Sequence, residues 1–165
     1  MINDISQTII DYQKDNFIVK KCVENSQFLY SYIKANYKSN AKVKACILLI
    51  FDKSNSSVRI NKGHLIIEVE DNIFIDPSYD ISKNEYVNYY YTIREFFDYL
   101  KKENMNIMDI GHTKVNDLID TFLYFVRYAN NVNNGIFCIN DMEYYTNLKD
   151  CIMNKYPNIL SVEYK

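Results

Sequence analysis

His64-Leu65-Ile66-Ile67-Glu68-Val69, followed after Glu70-Asp71-Asn72 by Ile73-Phe74-Ile75-Asp76-Pro77-Ser78, is the stretch on which the reading turns. Two short apolar runs rich in β-branched residues flank a polar, turn-forming triplet, which predicts an antiparallel hairpin. Side chains alternate between the two faces of a strand, so the loop length decides whether His64 and Asp76 meet. A two-residue Asp71-Asn72 turn pairs Glu70 with Ile73 and sends Asp76 to the face opposite His64. A three-residue loop Glu70-Asp71-Asn72 pairs Val69 with Ile73 and brings the imidazole and the carboxylate to one face, and a bulge would correct the parity equally. Asn72 suits the left-handed backbone that such a connection requires.

Outward from the hairpin, the order is helical, then extended, then helical. Upstream, Val43 to Phe51 is apolar at every position but Lys44, as in a strand covered on both faces. Lys53 to Ser57 is a polar turn, and Val58–Ile60 a short extended segment before His64, which opens its own strand. Asn3 to Gln13 carries Ile5, Ile9 and Ile10 on one helical face, and Lys21 to Tyr37 repeats Cys22, Ser26, Leu29, Ile33 and Tyr37 at steps of three or four. Downstream, Thr92 and Glu95 form a capping-box pair before a helix reaching about Glu103. A further helix spans Thr113 to about Asn130. Ile136 to Ile139 is a strand candidate, Asn140 or Asp141 caps a last helix that Pro157 ends, and Ile159 to Tyr164 is a final strand candidate. The expected fold class is α+β, with residues 1–165 forming one domain.

Among the side chains able to do chemistry, histidine is scarce: His64 and His112 are the two in the chain. Acyl transfer on a thiol needs a sulfur nucleophile, a base that later returns its proton, and an acceptor that orients the base. Cys22, near the start of a predicted helix, together with His64 and Asp76 fits those roles. A helix N-terminus supplies N–H donors and partial positive charge for a thiolate and for a developing oxyanion. This segment resembles the transglutaminase-like superfamily of papain-like cysteine enzymes, whose pattern is His-x-x-x-Glu-Val, an apolar run, and Asp-Pro-Ser/Thr. In that family a cysteine some forty positions upstream begins the central helix, as Cys22 does here. The resemblance covers Cys22 to Ser78. It implies a cysteine helix packed on an antiparallel sheet, with Cys22, His64 and Asp76 as the catalytic triad and Gln13 as the nearest match to an upstream oxyanion donor. Ile66 stands where the family usually has an aromatic residue, and Lys20-Lys21 where it usually has a small one.

The remaining candidates read as structural. Glu68 shares the His64 face of a regular strand, either as a second partner or as a solvated charge. His112 reads as a loop residue beside a helix cap, and Cys46, Cys138 and Cys151 as core. Tyr86, Tyr89, Tyr90 and Tyr91 either line a groove or pack. With 48% hydrophobic and 24% charged residues the chain is of globular composition, and a net charge of −2 without a basic run gives no reason to expect nucleic acid. The longest apolar run is too short for a bilayer span, and no secretory signal is visible, so an intracellular, cytoplasmic protein with reduced thiols is expected. The bias toward Asn, Ile, Lys and Tyr suits an AT-rich microbial or viral genome. No cofactor is expected, since no closely spaced pair of metal ligands exists. The expected activity is hydrolysis of a peptide, isopeptide or side-chain amide through a thioester, with a peptide or protein as substrate. The alternatives are transfer to an amine, as in transglutaminases or N-acyltransferases, and an inactive domain that binds a peptide or protein partner.

Overall fold

The computed structural model describes residues 1–54 and 56–159. In chain order it contains α1 (Ile2–Asp15), α2 (Cys22–Asn36), β1 (Lys42–Asp52), β2 (Ser57–Glu70), β3 (Ile73–Ile75), α3 (Tyr79–Ser82), β4 (Tyr86–Tyr90), α4 (Ile93–Lys102), α5 (Ile107–Gly111), α6 (Val115–Asn133) and α7 (Met142–Lys155). The described residues thus form an α+β fold of seven helices and one four-stranded antiparallel sheet, ordered β3-β2-β1-β4. No helix among them is long and apolar enough to cross a membrane.

β1 is apolar without a break from Ala45 to Phe51 because it is an inner strand with both faces covered. Val43, Ala45, Ile47 and Leu49 point into the main core with Leu65 and Ile67 of β2, Phe28, Leu29 and Ile33 of α2, and Phe96 and Leu118. Cys46, Leu48 and Ile50 point the other way, into a smaller cluster with Ile66 and Ile81. Each such fully buried aliphatic side chain contributes up to about 1.5–3 kcal/mol. The two faces together hold the strand that carries the rest of the sheet.

α2 is buried along nearly its whole length, from Val23 to Ile33, although the sequence there is mixed polar and apolar. Its polar side chains are matched one by one, as burial requires. Ser26 donates to Leu65 O of β2, Asn25 to Gln13 Oε1 of α1, and Gln27 Oε1 accepts from Cys138 N–H. These bonds lock α2 against the sheet and position its first residue, Cys22.

The hairpin resolves the parity question with a bulge. Ile67 faces Ile75 and Glu68 faces Phe74, whereas Glu70 faces Ile73, so Val69 is the extra residue. The turn itself is the two-residue Asp71-Asn72 connection, with Asn72 left-handed at φ 64°. A second irregularity lies earlier in β2, where Lys62 and Gly63 stand against Ile47 alone.

Several expectations are corrected. His64 does not open a strand: Val58–Ile60 and His64–Val69 belong to one 14-residue strand that runs through Asn61-Lys62-Gly63, the bulge absorbing the break in pattern. Ile136–Ile139 forms no strand, because Gln27 of α2 rather than a sheet edge takes up the Cys138 N–H. The segment from Ile159 to Tyr164 lies, apart from Ile159, outside the described residues. β4, α3 and α5 had no counterpart in the sequence reading. β4 is a Tyr-rich edge strand without apolar alternation, and the two helices are four and five residues long, too short to show a period.

Candidate active site

Cys22 is the first residue of α2, after Lys21 in the N-cap position. No side chain caps this end, and Asn25 N–H makes the first intrahelical bond, to Lys21 O, at 2.8 Å. The N–H groups of Cys22, Val23 and Glu24 therefore have no partner within the helix. The turn is fixed from outside. Lys21 Nζ bonds Asp141 Oδ2 of the α7 cap at 2.7 Å, Glu24 Oε2 accepts from Asn140 N–H, and Tyr144 of α7 donates to Asn25 Oδ1. Just before it, Lys20 adopts a left-handed φ of 60°, an uncommon conformation for a residue with a Cβ.

His64 is 2% exposed. Its Nε2 lies 2.8 Å from Asp76 Oδ2, and the Cys22 thiol is near enough to act electrostatically on the ring. With Nε2 taken by the carboxylate, Nδ1 is the nitrogen left for sulfur. Burial alone would lower the imidazole pKa, but the charge and hydrogen bond of Asp76, assisted by Cys22, outweigh it and raise it to about 10. The ring therefore holds its proton at neutral pH.

Asp76 follows directly on β3 and has three donors. Oδ2 accepts from His64 and from the Tyr89 hydroxyl of β4, the latter at 2.7 Å, and Oδ1 accepts from Ser78 N–H at 3.1 Å. Burial first, and then the Asp76 charge, push the Tyr89 hydroxyl well above its ordinary pKa, so it remains a donor. The carbonyl of Pro77 is held by Gln13 Nε2 at 2.8 Å, which ties the Asp76-Pro77-Ser78 segment to α1.

Cys22 and His64 open into one cavity of about 660 Å³, which Val23, Asn61 and Gly63 also line. Gly63 is required there. A Cβ at that position would lie 2.1 Å from the Phe125 ring of α6, so the missing side chain lets α6 close over β2 beside His64. Asn61 Oδ1 accepts from Gly63 N–H at 3.1 Å.

The structure thus brings Cys22, His64 and Asp76 together, with His64 hydrogen-bonded to Asp76 and sharing one cavity with Cys22, and it places Gln13 elsewhere. Gln13 is fully buried, with both amide hydrogens donated to the carbonyls of Ile9 and Pro77 and its Oε1 accepting from Asn25 and Tyr79. It has no donor left for an oxyanion; its work is to hold the loop behind Asp76. Glu68 is neither a second partner of His64 nor solvated. It is 8% exposed, bonds Lys42 at 3.3 Å, and accepts the Asn72 N–H that closes the hairpin. These two contacts overcome the opposing effect of burial and lower its pKa. His112 is the left-handed C-cap of α5. All four cysteines are free. The Cys46 thiol is pushed well up by burial, then by Asp76 and Cys22, and Cys138 is raised by burial.

Sequence reasoning placed Tyr89 in a tyrosine cluster that lines a groove or packs but missed its bond to Asp76, and it missed Asn61 and the Gly63–Phe125 contact. A glycine interrupting a strand immediately before the candidate base was the available signal for the last of these. Tyr89 gave none, since its strand was not foreseen. Comparison of the chain with family models, with curated proteins and with solved structures finds no match.

Proposed function

We propose that this chain is a transglutaminase-like cysteine enzyme that cleaves an amide bond of a peptide or protein through a thioester. The observation that carries this reading is the Cys22–His64–Asp76 line, with sulfur at a helix start and a buried, carboxylate-held imidazole beside it. Cys22 Sγ attacks the carbonyl carbon, and the negative charge that develops on the oxygen is met by the unpaired N–H groups of the first turn of α2, with Asn61 Nδ2 as a side-chain candidate. His64 gives its proton to the departing amine as the C–N bond breaks, leaving an acyl group on sulfur. The now neutral ring takes a proton from water as its oxygen attacks the thioester; the carboxylic acid departs and sulfur is restored. Asp76, steadied by Tyr89 and Ser78, holds the ring throughout. If an amine took the place of water, the same site would transfer the acyl group.

The test is to alkylate the folded protein at pH 6 and locate the label by peptide mapping. Cys22 reacts fastest of the four thiols, and His64→Ala slows it. Faster labelling of Cys46, Cys138 or Cys151 would show that the nucleophile has been misassigned.

A further inference from the structure

The cavity around Cys22 and His64 is far more basic than the chain that builds it. Lys20, Arg59, Lys62 and Lys83 line it against one carboxylate, Asp80, whereas the whole chain carries a net charge of −2. The four cations come from separate places: the loop before α2, both halves of the bulged part of β2, and the residue after α3. Among the described residues none of the four makes an ion pair, whereas Lys21 pairs with Asp141 and Lys42 with Glu68. Arg59 donates to the neutral amide oxygen of Asn84 at 3.2 Å, and the Lys83 ammonium lies 5.9 Å from the Tyr79 ring. Lys20, Arg59 and Lys83 are exposed and Lys62 is half-buried, so the four charges stand along the cavity wall within reach of an incoming substrate. Lys20 is held there by the left-handed turn that leads into the nucleophile.

We infer that the site takes an acidic polypeptide segment, in which the amide attacked by Cys22 is flanked by Asp or Glu side chains. This rests on Cys22 being the nucleophile. The carboxylates would find cations on the cavity wall, so charge complementarity speeds encounter and sets register, while Cys22 supplies the chemistry. A polypeptide is favoured over other polyanions because sulfur needs an acyl carbon.

The experiment uses three acyloxymethyl ketone probes on the full chain, acetyl-Glu-Glu-Gly, acetyl-Gln-Gln-Gly and acetyl-Lys-Lys-Gly, with Cys22 modification followed by mass spectrometry. The Glu probe is expected to modify Cys22 about tenfold faster than the Gln probe at low salt, and the Lys probe more slowly than either. The Glu/Gln ratio contracts toward one at high salt. In the Arg59→Gln/Lys62→Gln double variant it falls by about threefold or more. The ratio is read on variant protein whose unfolding curve shows it fully folded, because an unfolded fraction would itself draw the ratio toward one. Equal Glu and Gln rates at Cys22, or an undiminished ratio in the double variant, overturn the acidic preference while leaving the nucleophile in place. Failure of every probe to modify Cys22, with other thiols reacting, instead removes the enzyme reading and this inference with it.

Discussion

Replacing Asp76 by Asn tests the central pair of the site, because the amide is isosteric and cannot satisfy all three of its neighbours. If its oxygen takes the Oδ2 position it accepts from His64 and Tyr89, but its NH₂ then faces the Ser78 N–H, donor against donor. If it is turned over, Ser78 is satisfied and the NH₂ faces His64 Nε2, which holds the ring in the neutral Nδ1–H tautomer and leaves no basic nitrogen facing Cys22. One buried mismatch costs about 1–3 kcal/mol. The larger signature is in pH. The native His64 pKa stands at about 10, above its ordinary 6.5. Protonated His64 therefore contributes its full share of stability below pH 6.5, and that share is lost as pH rises through 10. At 1.36 kcal/mol per unit, this window sets a ceiling of about 5 kcal/mol. Without the carboxylate, burial is opposed only by the smaller effect of Cys22, so the variant has much less to lose between pH 6.5 and 10. Urea unfolding of both proteins across that range should show the stability gap closing by at least about 2 kcal/mol as pH rises, other titrating groups being common to both. Ring-labelled histidine spectra follow the same event directly, with one other histidine to assign. Parallel stability curves over the window would refute the coupling of His64 to Asp76.

Gly63→Ala should destabilise by about 1–3 kcal/mol through the clash with Phe125, and a smaller residue at 125 should recover part of it; chemical denaturation of the single and double variants measures both. Gln13→Leu should cost more than about 2 kcal/mol, since it strips partners from the buried Pro77 carbonyl and Asn25 amide. Its Cys22 alkylation rate, measured on the fraction that remains folded, should fall far less than in His64→Ala. Tyr89→Phe removes a hydrogen bond to a charged acceptor and should cost about 1.5–3 kcal/mol by the same unfolding assay.

The helices around the core were legible because their apolar residues recur at helical spacing over ten or more positions, as in α4 and α6. The start of α2 at Cys22 was legible to within a residue, although α2 is buried on its polar side as well. The hairpin's need for an odd connection was legible from arithmetic alone, and the structure meets it by bulging at Val69 instead of lengthening the turn. What stayed hidden depends on contacts between distant segments. Gln13 looked like a donor to the site because sequence shows an amide but not the Pro77 and Ile9 carbonyls that occupy it. The bond from Tyr89 to Asp76 was invisible because the strand of Tyr89 exists by pairing with β1, not by any pattern of its own.

The bulge at Val69 also makes the hairpin sensitive to length more than to composition. Exchanges among the polar residues of the turn leave the count from His64 to Asp76 unchanged, and with it the face on which the carboxylate emerges. Loss of one residue between them would rotate Asp76 to the far side of the sheet while leaving both strands free to pair, as in a message read one letter out of frame. Loss or gain of two would bring it back. A scan of single and double deletions and insertions across this turn should therefore alternate between silent and active, at nearly constant fold stability, as the count passes from odd to even.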